Sequence, residues 1–178
     1  MKHIFVINGS ASKNSSNQQL IENFANLTRD FFTLTFFNGL KTLPHFDPDL
    51  SVSDVPKEIA EFRRNIETSD GILICTPEYV FSIPSGLKNA VEWCVATTVF
   101  SGKPIGLITA SAHGAKGHEE LQLIMKTVDA RFTVATTLLI QGIKSKINSE
   151  GQIIDGKTRA ELVSFTDSFK KLVEGRQF

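Results

Sequence analysis

Five apolar runs, each about the length of a strand, alternate along this chain with segments whose apolar residues recur at helical spacing. No other feature restricts the possible folds so strongly. Lys2 to Asn8 (KHIFVIN), Phe31 to Phe37 (FFTLTFF), Asp70 to Thr76 (DGILICT), Pro104 to Ala110 (PIGLITA) and Val134 to Ile140 read as strands. The first and third are apolar on both faces, as central parallel strands are. Between and after them, five sets of residues fall in helical phase. They are Leu20, Phe24 and Leu27; Ile59, Phe62 and Ile66; Leu87, Ala90, Val91, Cys94 and Val95; Leu121, Ile124, Met125 and Val128; and Leu162, Phe165, Phe169 and Leu172. Asp54 and Pro56 are expected to open the second helix, and Asp155 to cap the last.

Such strict alternation leads to a parallel sheet with helices on both faces, because crossovers between parallel strands are right-handed. Five strands favour the doubly wound, flavodoxin-like order 2-1-3-4-5 over a six-stranded dinucleotide-binding sheet. With 178 residues and no repeat, low-complexity tract or linker, the chain is expected to form one α/β domain over residues 1–178. In sheets of this kind a ligand lies beyond the carboxyl ends of the strands, where the order reverses between strands one and three. Function is therefore to be sought in the loops that begin at Gly9, Pro77 and Ser111.

The 19 basic residues balance the 19 acidic ones, so nothing draws the chain to nucleic acid or to an anionic membrane. Its apolar runs are too short to span a bilayer. Met1-Lys2-His3 leads straight into a strand, so no signal peptide is read and a cytoplasmic location is expected. Cys75 and Cys94 lack disulfide or zinc spacing and read as buried, reduced thiols. His113 and His118 are five apart rather than four, so they do not share a helical face and no metal site is expected.

The loop from Gly9 to Asn17 holds four serines, two asparagines and Lys13, and it opens a helix. Glycine lets the strand turn sharply. The helix start offers unpaired N–H groups and a partial positive charge, which with hydroxyls can surround a phosphate. The competing reading is a helix capped by Ser or Asn with no ligand. The loop is neither G-x-x-x-x-G-K-[ST] nor G-x-G-x-x-G, which leaves aside the nucleotide P-loop and the dinucleotide fingerprint. A phosphate held mainly by hydroxyls and amides suits a monoester such as that of FMN.

The second loop and its helix run Thr76-Pro77-Glu78-Tyr79-Val80-Phe81-Ser82-Ile83-Pro84-Ser85-Gly86-Leu87-Lys88-Asn89-Ala90-Val91-Glu92-Trp93. This stretch resembles the pattern T-P-E-Y-N-x-S-x-P-x-x-L-K-N-A-[IV]-[DE]-W of the NADPH-dependent FMN reductase family, which includes quinone, azo and chromate reductases. The first loop resembles that family's G-S-x-R-x-x-S-x-N, and Asn148 to Leu162 its last turn and helix, so the likeness runs over most of the chain. The resemblance implies a flavodoxin-like fold, bound FMN, NAD(P)H as co-substrate, a small-molecule electron acceptor and a homodimer or homotetramer. It places the phosphate at Ser10, Ser12, Ser15, Ser16 and Asn17. It sets Pro77, Glu78, Tyr79 and Val80 along the isoalloxazine edge, and Ser111 and the residues after it, His113 among them, on the other side of the ring. Three departures stand out. The family's arginine falls at Ser12, with Lys13 a candidate to replace it; its asparagine falls at Val80; and its glycine pair reads Gly117-His118.

Individual residues keep more than one reading. Tyr79 either packs on the flavin or anchors its loop, and Trp93 reads as helix packing. Glu78 either meets a neighbouring subunit or orients the loop, and His113 either approaches the ring's carbonyl edge or lies in solvent. Lys88 and Asn89 read as ties within the helix or the dimer. No catalytic side chain is named, because a flavin carries the hard chemistry and the protein orients it. The expected reaction passes a hydride from nicotinamide to the flavin and on to a quinone, flavin, azo or similar acceptor. Two other readings stand beside it: a flavodoxin-type electron carrier, and a non-catalytic module with a degenerate flavin pocket.

Overall fold

The computed structural model describes residues 1–12 and 14–175. Five strands form one parallel sheet: β1 (Lys2–Asn8), β2 (Phe32–Phe37), β3 (Gly71–Thr76), β4 (Ile105–Ser111) and β5 (Thr137–Gln141). Their order is β2-β1-β3-β4-β5, as the alternation predicts. The helices are α1 (Ser16–Thr28), α2 (Lys57–Thr68), α3 (Ser85–Glu92), α4 (Ala115–Thr127) and α5 (Gly156–Val173).

Successive strand residues point to opposite faces, and each face has its own core. On one face, Ile4, Val6, Leu73, Cys75, Ile108 and Ala110 pack beneath α1 and α5 through Leu20, Phe24, Leu162, Phe165 and Phe169. Phe24 meets Phe165 and Phe169 with ring centroids 6.5 and 6.1 Å away. On the other face, Phe5, Ile7, Ile72, Ile74 and Leu107 pack against Ile59 and Phe62 of α2, Leu87 and Val91 of α3, and Leu121 and Met125 of α4. Fully burying each such side chain contributes about 1.5–3 kcal/mol. The two cores hold the sheet rigid and fix where its strands end.

Four local expectations are corrected. Strand five begins at Thr137, because Val134–Thr136 form a single 3-10 turn. There Thr133 N donates to Thr136 Oγ1 (3.0 Å) and Thr136 N to Thr133 O (2.9 Å), and these local bonds displace the ladder. Helix α3 stops at Glu92, so Val95 turns out to solvent instead of joining the core face. Asp54 does not cap α2. It stands in a left-handed conformation, and Pro56 occupies the cap position. Leu27 is more exposed than its place in the helical phase implies. Asp155 does cap α5, accepting Thr158 N at 2.7 Å. Both cysteines are buried. Among the described residues no helix is long and apolar enough to cross a membrane.

Candidate functional site

At the carboxyl end of β1, Gly9 N bonds Cys75 O (2.8 Å), and the chain passes so close to β3 that a Cβ on Gly9 would lie 2.3 Å from Thr76 Oγ1. No side chain fits there. The loop beyond is wound by its own polar groups. Ser10 N donates to Asn8 Oδ1 (3.0 Å), Ser12 N donates to Ser10 Oγ (3.2 Å), and Asn14 takes a left-handed φ of 53°. Asparagine tolerates that region. Ser15 Oγ caps α1 by accepting Gln18 N at 3.2 Å, and Ser16 begins the helix. Asn17 is buried and spent on structure: its Nδ2 donates to Ala110 O (3.1 Å), and its Oδ1 lies 3.4 Å from Cys75 Sγ. Lys13 lies outside the described residues.

The loop after β3 is held from a distance. Pro77 is buried, and Tyr79 and Ser82 exchange backbone bonds of 2.9 and 3.1 Å around a two-residue turn. Its tip residues, Val80 and Phe81, have φ of 52° and 60° and are 94% and 73% exposed. A β-branched residue in the left-handed region is strained, by an order of 1–3 kcal/mol, and persists only where its surroundings impose it. Two carboxylates impose it. Glu120 Oε2 accepts Ser82 Oγ (2.6 Å) and Ile83 N (2.9 Å). Glu78 accepts Gly114 N on Oε1 (3.1 Å) and Gly117 N on Oε2 (2.8 Å).

The cap residue of α4, Gly114, has no side chain to cap with, so Glu78 caps that helix from another loop. Gly117 permits the approach, since a Cβ there would lie 3.2 Å from Glu78 Cβ. Ser111 Oγ adds a 3.3 Å bond to Glu78 O. Glu78 therefore orients the loop. His118 is half-buried, with Nδ1 2.9 Å from Thr109 Oγ1, and burial holds its pKa below the ordinary 6.5, so it is neutral at pH 7. His113 is exposed.

A cavity of about 800 Å3 opens between these loops, within the range of small-molecule sites. The stretch from Asn8 to Ser12, with Asn14, forms one wall, while Tyr79 and Pro84 to Gly86 form another. The third wall belongs to the segment after β2, with Asn38, Leu40, Lys41, Leu43 and His45. Of the residues expected to bind the cofactor, Ser10, Ser12 and Tyr79 line this cavity; Ser15, Ser16, Asn17, Pro77, Glu78, Val80, Ser111 and His113 lie outside its walls.

The third wall carries no motif that marks it as a site in the sequence. Asn89 of α3 clasps it: Oδ1 accepts Phe46 N (2.7 Å), and Nδ2 donates to Pro44 O (2.9 Å). Trp93 donates to the same carbonyl (2.8 Å) and meets Phe46 edge-on at 5.3 Å. The L-K-N-A-x-x-W stretch is thus a clasp for the wall, with Lys88 paired to Glu92 at 2.6 Å on its outer side.

The donor set fits FMN. The hydroxyls and amides of Ser10 and Ser12, on the cavity wall just ahead of a helix start, suit a phosphate, the cavity suits a tricyclic ring, and Tyr79 borders it half-exposed. The thiols take no part: burial raises Cys75 far above the ordinary range and Cys94 to about 12, which keeps both protonated.

Comparison with known proteins agrees with this geometry. The family model described as NADPH-dependent FMN reductase matches residues 2–143. A 2-hydroxy-1,4-benzoquinone reductase from a Burkholderia species is 33% identical, covering 98% of this chain and 97% of that one. A quinone reductase from Escherichia coli K12 is 25% identical over 93% of this chain and 92% of its own. The solved structure of FerB, a flavoenzyme NAD(P)H:(acceptor) oxidoreductase from Paracoccus denitrificans, superposes with a TM-score of 0.85 at 26% identity, covering both chains completely.

Proposed function

The chain belongs to the NADPH-dependent FMN reductase family and is an NAD(P)H-dependent oxidoreductase with FMN as its cofactor; from that premise we propose that its acceptor is a quinone, taken up at the cavity between the Asn8–Ser12 loop and Tyr79. The observation that carries the acceptor is the 33% identity, over nearly the full length of both chains, to a benzoquinone reductase. Bound FMN supplies the chemistry, taking two electrons from the nicotinamide and releasing them to the acceptor.

The residues of the chain bind and orient. Ser10 and Ser12 would donate to the phosphate from the cavity wall, and the Ser15 and Ser16 hydroxyls from the first turn of α1. Ser15 accepts one bond as a cap and keeps its own proton to give. Asn17 would hold that turn against β4, and Tyr79 would border the ring. Pro77 and the backbone of Val80 would run along the ring edge, with Ser111 and His113 beyond it. Glu78 would keep both loops at a fixed separation, and backbone N–H groups near the ring would stabilise negative charge as it develops.

The same reading takes residues 1–178 as one FMN-binding domain, supported by one sheet running from Lys2 to Gln141 and by α5 packing back on α1. It also takes the protein as a cytoplasmic homodimer or homotetramer that binds no nucleic acid. The exposed apolar Tyr79–Phe81 turn supports self-association, and sedimentation of the holoprotein would test it. The zero net charge supports the absence of a nucleic-acid partner.

One spectrum tests the function: the purified protein should absorb as a flavin and bleach on anaerobic NADPH, then recover on added quinone. A flavin spectrum untouched by NADPH and NADH would point instead to an electron carrier, and a protein that takes up no FMN would sink the assignment.

A further inference from the structure

A phosphomonoester carries about 1.5–2 negative charges at neutral pH. Yet the loop that would hold it, residues 8–17, carries a single basic residue, Lys13, which lies outside the described residues. Two basic side chains do line the same cavity: Lys41, in the Leu40–Thr42 turn, and His45, just beyond it. Neither has an ion-pair or hydrogen-bond partner for its side chain among the described residues. The acid on the cavity wall, Glu22, is engaged, its Oε1 accepting Gln18 Nε2 at 3.0 Å.

The cationic wall is also well fixed. Leu40 and Leu43 are buried on either side of Lys41, and Thr42 closes the turn by donating to Gly39 O through N (3.0 Å) and Oγ1 (2.8 Å). Asn89 and Trp93 hold Pro44 and Phe46 next to His45. A cation on a fixed backbone, on the wall across from a set of neutral donors, divides the work of binding a dianion: the serines and amides give geometry, and the opposite wall gives charge.

We infer that Lys41, assisted by His45, is the charge contact for a phosphomonoester bound in this cavity. This rests on the flavin-reductase reading and adds to it a wall that the sequence motifs do not mark. The same chemistry is offered by two groups: the 5′-phosphate of FMN and the 2′-phosphate of NADPH. Paired ligands separate them, since riboflavin lacks the first phosphate and NAD⁺ the second.

The test titrates full-length wild type, Lys41→Ala, Lys41→Arg, His45→Ala and Lys13→Ala with FMN and riboflavin by flavin fluorescence, and the flavin-loaded proteins with NADP⁺ and NAD⁺ by difference absorbance. Loss of one charge-assisted contact should raise a Kd about tenfold. Lys41→Ala should do so for one phosphorylated ligand, leave its unphosphorylated partner within about twofold, and flatten the salt dependence of binding. Lys41→Arg should retain most of the affinity, and His45→Ala should lose less than Lys41→Ala. A tenfold loss confined to FMN assigns the flavin phosphate, and one confined to NADP⁺ the dinucleotide. Equal losses within both pairs, no change in either, or discrimination carried entirely by Lys13 would overturn the inference. Wild type that binds neither FMN nor riboflavin would overturn it together with the reductase reading, which sets that failure apart.

Discussion

At the amino-terminal rim of the sheet, Asp70 accepts Lys2 Nζ and His3 N, both at 2.8 Å, and its own N–H donates to His3 O at 2.8 Å. Lys103 Nζ reaches Ser69 O (2.7 Å) and Glu67 O (2.9 Å) on the same rim. The carboxyl-terminal rim is built otherwise. Asn14, Val80 and Phe81 stand in left-handed conformations, apolar side chains face solvent, and hydroxyls line an open cavity. One rim joins strand starts through charged side chains that are already paired. The other leaves donors available along an open cavity. The loops of the upper rim are fixed in place by Glu78, Glu120 and Asn89. A site needs that arrangement, because donors already satisfied by the protein have nothing to offer a ligand.

Substitutions at the two rims should therefore behave differently. The largest effect is expected at Gly9. Gly9→Val drives a side chain into Thr76 and should cost about 3 kcal/mol, read as a lower urea midpoint, with loss of flavin uptake. An unchanged midpoint would show that the loop moves freely away from β3. Next, Glu78→Ala strips the cap from α4 and should cost about 1–2 kcal/mol while weakening flavin binding, whereas Glu78→Gln should recover part of both.

Val80→Asn works in the opposite direction. Asparagine tolerates the left-handed region, so stability should rise by about 1 kcal/mol in chemical denaturation. A fall would mean that the turn is not strained as its φ values indicate.

The smallest effect belongs to the lower rim. Hydrogen bonds from Lys2 and the His3 N–H hold Asp70 below its ordinary pKa of 3.8, so the folded state favours the ionised form. That stability is present above pH 3.8 and is lost as pH falls through the lower folded value. Asp70→Asn should lower stability at pH 7 by well under 1 kcal/mol for so exposed a pair, read as a slightly lower Tm, and the gap to wild type should close on acidification below pH 3.8. A gap that widens in acid would reverse the sign of this account.

The layers were almost wholly legible. Strand β1 runs from Lys2 to Asn8 as its apolar run predicts, and the phases of Phe24, Phe62, Leu121 and Phe169 name buried residues of four helices. Val134 to Thr136 were misread because Thr133 and Thr136 make a local bond pattern that a hydrophobic count does not see. At the cavity, the wall from Gly9 to Ser12 and the place of Tyr79 were legible by position. The wall bearing Lys41 and His45 was not, because its place depends on Asn89, more than forty residues along the chain from Pro44 and Phe46. Nor were the partners of Glu78, which lie 36 and 39 residues away.

The amino-acid order alone determined the sheet, its helical cover and the end at which a ligand would sit, since period and alternation are local properties written along the chain. Only the tertiary structure decided which loops face each other across the cavity, which carboxylate caps α4, and which side chains hold Val80 where it would not rest by itself. Those outcomes depend on groups brought together by packing of the two cores, and no local pattern encodes the meeting of residues so far apart in sequence.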